Sequence, residues 1–197
     1  MGDVAPLDPE RLLRTLTRHR VRFVLIGALG ARLYGFPRVT ADADITPARD
    51  DSNLILLAAA LRELDARVYM ESVPEGLPFD ATATTLARAD VWSLVTVAGR
   101  LDIAFAPSGT TGYDDLARNA EHFMLFGSDV AVARLEDIVR SKEAAERPKD
   151  RQDVLLMRAM LASSRRGASK IKKAATPAIA PTIFAEISAR CSSSSSR

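Results

Sequence analysis

The sequence predicts an α/β (α+β) fold, a mixed sheet flanked by helices, and three observations lead there. Short β-branched and aromatic runs such as residues 21–26 alternate with Leu- and Ala-rich helical stretches such as residues 54–64. In Arg38-Val39-Thr40-Ala41-Asp42-Ala43-Asp44-Ile45 two aspartates alternate with small or apolar residues, the period of a strand. Two further runs, residues 91–97 and 101–105, flank Gly99-Arg100, which reads as a hairpin turn.

Each element has a local cause. Asp8-Pro9-Glu10 starts a helix: an N-cap acid, a proline at the first helical position, then an acid in the first turn. Leu12, Leu13 and Leu16 form its apolar stripe, and Arg18-His19-Arg20 suit its C-terminal end. Residues 21–26 are a buried strand ending at Gly27; residues 28–34 a short helix closed by Gly35 and Pro37. The second strand spans 41–46, and Asp50, Asp51 and Ser52 offer caps for a helix over 54–64. Residues 67–70 are expected as a strand, Pro74, Gly76 and Pro78 as a loop, and 83–86 as a further short strand before 91–97. A helix over 114–120, a strand over 130–133, and helices over 134–146 and 150–161, parted by Pro148, complete the body. Residues 182–189 suit a short helix, and 192–196 are low-complexity serine. The expected organisation is a core over 1–133, C-terminal helices over 134–162 that complete the active site, and a basic Ser/Ala-rich tail over 163–197.

Composition narrows the class. Hydrophobic residues at 47% and charged residues at 26% are ordinary for a soluble globular chain. The longest apolar runs fall far short of the ~20 residues that span a bilayer, and Asp3 with no apolar block after it does not read as a signal peptide. The single cysteine, Cys191, excludes an intrachain disulfide and a Cys-cluster zinc site, so a cytoplasmic protein without membrane partners is expected. From Ser163 onward seven basic residues face the single acid Glu186, a net +6, while residues 1–162 carry −4. An acidic body with a basic tail suits a metal-loaded site served by a phosphate-attracting segment.

The chemistry centres on Asp42 and Asp44. On one strand face they lie about 7 Å apart, and two like charges brought to ~4 Å repel by about 4 kcal/mol at an effective dielectric of ~20. Aiming both at one point calls for a counter-charge, for which Mg²⁺ is suited: it takes oxygen ligands, uses one or two carboxylates, and leaves positions for water or phosphate. Leu101-Asp102-Ile103 presents a third acid between apolar neighbours. If its strand pairs beside the second, the three carboxylates match the ligand set of a two-metal site. The turn at Gly27-Ala28 places backbone N–H groups at a helix start, where a triphosphate can approach. His19, His122 and Trp92 are expected to be structural, because no second ligand stands at metal spacing from either histidine.

These residues resemble a known family. Gly27-Ala28, a spacer of 13 residues, and Asp42-Ala43-Asp44-Ile45 resemble the nucleotidyltransferase superfamily signature, a Gly-Gly or Gly-Ser pair followed by Asp-x-Asp/Glu. More closely, Gly27, Gly35, Pro37-Arg38, Thr40, Asp42 and Asp44 are similar to the AbiE/MenT-type nucleotidyltransferase toxins of bacterial toxin–antitoxin systems. Their C-terminal pattern is matched by Arg134-Leu135-Glu136-Asp137-Ile138, Lys142, Ala144-Ala145, Arg147, Lys149-Asp150 and Asp153. The resemblance covers roughly residues 21–160. It implies a nucleotidyltransferase-type mixed sheet and transfer of a nucleoside monophosphate from an NTP, pyrophosphate leaving. For the MenT-like branch it implies the 3′ end of tRNA as acceptor, a pyrimidine NTP as donor, blocked aminoacylation and translation, and a cognate antitoxin as partner.

On that reading Asp42, Asp44 and Asp102 hold the metals and Asp102 helps deprotonate the attacking hydroxyl. Lys142 neutralises triphosphate charge, with Asp153 in the catalytic set and Asp150 among the nucleotide contacts, either acid positioning Lys142 or Arg147. Arg38 contacts nucleotide or RNA phosphate, or pairs with a carboxylate. Ala28 departs from the usual Ser or Gly and removes one phosphate contact. Thr40, two residues before Asp42, is a candidate for regulatory phosphorylation, since a phosphate there adds about −1.5 to −2 charge beside the carboxylates. Two other readings stay open: transfer to a small hydroxylated compound such as an antibiotic, and an inactive RNA- or partner-binding module.

Overall fold

A computed structural model describes residues 5–168 of the chain. Helix α1 (Pro9–Arg18) starts as expected, with Asp8 accepting from the Arg11 backbone N–H at 3.0 Å. It is followed by β1 (Phe23–Ile26), α2 (Gly27–Arg32), β2 (Asp42–Pro47) and α3 (Asp51–Glu63), the last capped by Asp50. The middle of the chain holds β3 (Arg67–Met70), β4 (Val73–Leu77), α4 (Ala83–Leu86), β5 (Val91–Thr96) and β6 (Gly99–Ala104). Then come α5 (Tyr113–Ala117), β7 (Glu121–Leu125), β8 (Ser128–Val132), α6 (Leu135–Ala145), a 3-10 turn (Pro148–Asp150) and α7 (Arg151–Ala168).

The eight strands form one mixed sheet in the order β4-β3-β5-β6-β2-β1-β8-β7. The pairs β2–β6 and β1–β8 are parallel and the others antiparallel. One face lies under α1 and α3: Leu12, Leu13 and Leu16 pack with Leu54, Leu57 and Leu61 on Leu25, Ile45, Leu101 and Ile103. Each such fully buried leucine contributes about 1.5–3 kcal/mol by leaving water. The other face carries Val24, which packs with Leu135, Ile138 and Val139 of α6 and Met157 of α7. Because cross-strand partners share a face and Val24 stands opposite Thr46 in β2, Asp42 and Asp44 lie on this second face. Asn53, buried in α3, ties the helix to the strand ends by donating to Arg22 O at 3.0 Å and Ala48 O at 2.8 Å.

Four expectations are corrected. The Pro74–Gly76 stretch is strand β4, not a loop; it is the sheet edge, where a proline without an N–H disrupts no ladder. Residues 83–86 are a helical turn, because Thr82 caps it by accepting from the Thr85 backbone N–H at 3.1 Å. The β5–β6 turn is Val97-Ala98, with Thr96 paired to Gly99 and Val95 to Arg100 inside the ladder. The stretch after α5 holds β7, an edge strand whose alternation is obscured because the apolar Met124 faces solvent between Phe123 and the buried Leu125. The expected helix over 182–189 and most of the basic tail lie outside the described residues, and α7 runs seven residues past the expected end at 161. Among the described residues no helix is long and apolar enough to cross a membrane.

Candidate functional site

On the second face of the sheet, α6 and α7 cover β1 and β8 and leave a cavity of about 610 Å³ over β2 and β6. Strand β2 runs parallel to β6 with Asp44 directly beside Asp102 and Asp42 beside Arg100. Neighbouring strands stand about 4.8 Å apart, so the pairing sets the Asp44 and Asp102 carboxyls side by side at the cavity floor. The far wall comes from α6, the connector with its 3-10 turn and the first turn of α7, with Lys142, Arg147, Lys149, Asp150 and Asp153 all on the lining. The core strands and the C-terminal helices therefore share one cavity.

The carboxyls feel one another. Asp44 is pushed up to about 7, first by burial and then by the charges of Asp42 and Asp102, with Lys142 and Lys149 pulling the other way. Asp102 is raised as well, again mainly by burial, while hydrogen bonding by the Ser93 side chain and the charge of Arg100 oppose it. Asp102 Oδ1 is buried with no hydrogen-bond partner. Asp42 Oδ1 accepts from Thr40 Oγ1 at 2.5 Å, which fixes that carboxyl to the segment entering β2. Among the described residues no three acidic or histidine side chains are already gathered closely enough to hold a metal ion.

Gly27 has a reason the sequence did not disclose. It sits at φ +66°, and a Cβ there would fall 1.9 Å from Asp44 Oδ2. The missing side chain makes room for the carboxylate of the neighbouring strand, in addition to opening the backbone to the cavity. Ala28 lines the cavity beside it, and α2 has no side-chain cap at its start.

The cations divide into two groups. Lys142, in the last turn of α6, hydrogen-bonds Asp150 and stands 3.5 Å from Asp153 Oδ2. Arg38 Nη1 donates to both oxygens of Asp153 at 2.8 and 2.7 Å, so of the two expected roles the structure displays the carboxylate pair. That contact raises the Arg38 guanidinium further and straps the segment before β2 to α7. Asp150 and Asp153 are both buried, each satisfied by these cations. Arg147 and Lys149, exposed on the connector between α6 and α7, make no ion pair among the described residues. His19 and His122 pair with Glu63 and Asp129 at the surface, and Trp92 stacks on Phe79, the structural roles expected of them. Ser93 is absent from the sequence-derived set; its one signal is a polar residue between Trp92 and Leu94 in a mostly apolar strand.

No protein-family model and no curated protein matches the chain. Solved structures do resemble it. The lincosamide antibiotic adenylyltransferase LnuA, bound to lincomycin, is 12% identical with a TM-score of 0.51, covering 79% of this chain and 99% of that one. The antibiotic-resistance factor ANT(2'')-Ia is 15% identical with a TM-score of 0.49, covering 93% of this chain and 90% of that one. The likeness to the lincosamide enzyme is one of fold: the chain has a nucleotidyltransferase-type fold, a mixed sheet flanked by helices.

Proposed function

We propose that this chain is a metal-dependent nucleotidyltransferase that uses an NTP, a pyrimidine NTP by resemblance, to modify the 3′ end of tRNA as a toxin of a toxin–antitoxin pair. The observation that carries the reading is the row Asp42, Asp44 and Asp102 on one sheet face at the floor of a cavity whose far wall is basic. The donor set fits Mg²⁺: hard carboxylate oxygens only, one of them, Asp102 Oδ1, buried without a partner. Such an ion, when bound, supplies positive charge to the triphosphate and to the attacking hydroxyl.

The residues of the chain then have distinct work. The acceptor hydroxyl oxygen bonds to the α-phosphorus, the α–β phosphoanhydride bond breaks, and pyrophosphate leaves. Asp102, held above the usual carboxylate range, receives the hydroxyl proton. Asp42, oriented by Thr40, and Asp44, seated against Gly27, hold the metal side. Asp150 and Asp153 aim Lys142 at the phosphates, and Arg38 keeps the segment before β2 closed over them. Thr40 is also where phosphorylation would silence the site. For the acceptor, the net +6 from Ser163 onward supports a polyanion, because Lys and Arg contacts to phosphates release counterions.

The likeness to the lincosamide enzyme supports a second reading, transfer to a small hydroxylated compound. Incubating the protein with Mg²⁺ and each labelled NTP in turn, with tRNA in one arm and lincomycin or tobramycin in another, separates the two. Label on tRNA, lost in Asp42→Ala, is the expected result. Label on the antibiotic alone overturns the tRNA reading, and label on neither, with tRNA still bound, overturns the enzyme.

A further inference from the structure

Tyr69 and Arg100 have no place in the site so far. Arg100 lies two residues before Asp102 on β6, on the same face, and opposite Asp42 in register. Its guanidinium does not turn towards Asp42. It lies over the ring of the half-buried Tyr69 in β3, 3.8 Å from the centroid. Its Nη2 is left 3.9 Å from Asp102 Oδ1, too far for a hydrogen bond and near enough to feel the charge.

Both Arg100 Nε and Asp102 Oδ1 are buried without a hydrogen-bond partner. Buried polar atoms are nearly always satisfied, so a donor and an acceptor on adjacent same-face residues should join unless something holds them apart. The aromatic ring does that, because a guanidinium within about 6 Å of a ring centroid is held there by the ring's quadrupole. We propose that Tyr69 is a positioning residue: by holding the Arg100 guanidinium on its ring, it keeps Asp102 Oδ1 free of a hydrogen bond and the carboxylate, which lines the cavity, available to a divalent cation there. This rests on the metal reading of the three carboxylates. Without the ring, Arg100 moves the remaining distance, forms a charge-assisted hydrogen bond to Asp102 Oδ1, and competes with the ion for the charge of the same carboxylate.

A double-mutant cycle tests this directly. Mn²⁺ binding to the full chain, without NTP, is titrated by electron paramagnetic resonance for the wild type and five variants: Tyr69→Phe, Tyr69→Leu, Arg100→Gln, the Leu/Gln double variant and Asp42→Ala. Thermal unfolding confirms that each is folded, and the ¹⁵Nε–¹H signal of Arg100 is recorded in those that keep it. Tyr69→Phe should bind within about twofold of wild type, since the ring remains. Tyr69→Leu should bind about tenfold more weakly, the worth of one charge-assisted hydrogen bond, with the Arg100 signal shifted to a hydrogen-bonded position. The double variant should recover to within about threefold of wild type, because the competing cation is gone.

Unchanged binding in Tyr69→Leu, or a double variant as weak as Tyr69→Leu alone, overturns the proposal and leaves Tyr69 a packing residue. Wild type and Asp42→Ala binding Mn²⁺ alike would overturn the metal reading itself, and with it the role of Oδ1. An Arg100 signal that does not move in Tyr69→Leu would overturn the positioning geometry whatever the metal does.

Discussion

Replacing Asp44 by Asn keeps the shape of the side chain and removes its charge. Asp44 holds its proton to about 7 rather than to the ordinary 3.8, so the folded chain binds more protons than the unfolded one between those values. Stability from this group is therefore fully present below about pH 4 and is lost as pH rises through 7. The full interval corresponds to about 4 kcal/mol at 1.36 kcal/mol per unit, and partial solvent access at a half-buried site lowers this to about 2–4 kcal/mol. Metal-free Asp44→Asn should match wild type near pH 4 and exceed it by that amount at pH 8. For a chain of this size that is a rise in melting temperature of roughly 5–15 °C. Denaturant titrations of chelator-treated protein at pH 4, 6 and 8 measure it. On adding Mn²⁺ at pH 8 the wild type should gain stability and the variant should gain little, since binding to the native state alone stabilises it. A variant no more stable than wild type at pH 8, or a difference that does not change with pH, would refute the claim that burial and the neighbouring carboxylates hold Asp44 above the usual range.

Substitutions at three more positions probe the same site. Gly27→Ala puts a methyl group 1.9 Å from Asp44 Oδ2 at φ +66°; the left-handed backbone alone costs about 1–2 kcal/mol, and chemical denaturation together with Mn²⁺ titration should show both stability and metal affinity falling. Asp153→Asn weakens the contacts to Arg38 and Lys142 together, so nucleotidyl transfer should drop at least about a hundredfold, the scale of a lost electrostatic contact, while far-ultraviolet circular dichroism stays unchanged. Thr40→Glu brings a second carboxylate to the place where Thr40 Oγ1 meets Asp42 Oδ1 at 2.5 Å; transfer of labelled nucleotide should vanish, Thr40→Ser should keep it, and full activity in the glutamate variant would remove Thr40 as a switch.

What could be read in the sequence was local. The Asp8-Pro9 start of α1, the cap at Asp50 and the Asp42-x-Asp44 alternation on β2 each depend on neighbours a few residues away, so residue order displays them. The same holds for Lys142, Asp150 and Asp153, whose spacing on α6, the 3-10 turn and the first turn of α7 brings them together. Short or edge elements were harder: β4 tolerates Pro74 because no strand lies beyond it, and β7 shows no clean alternation because the apolar Met124 stands on its solvent side. In both, position in the sheet overrode composition.

The tertiary structure alone decided the register and the reasons. Asp102 was visible as an acid in a strand, but only the parallel pairing of β6 with β2 puts it beside Asp44. Gly27 read as a glycine kept for phosphate, and the fold shows it also yields space to Asp44. Tyr69 and Arg100 showed no sequence signal, since they meet across β5 from positions 31 residues apart in the chain. The physical reason is the same in each case: backbone periodicity is set by adjacent residues, whereas which strand lies beside which, and in what register, is set by the core as a whole.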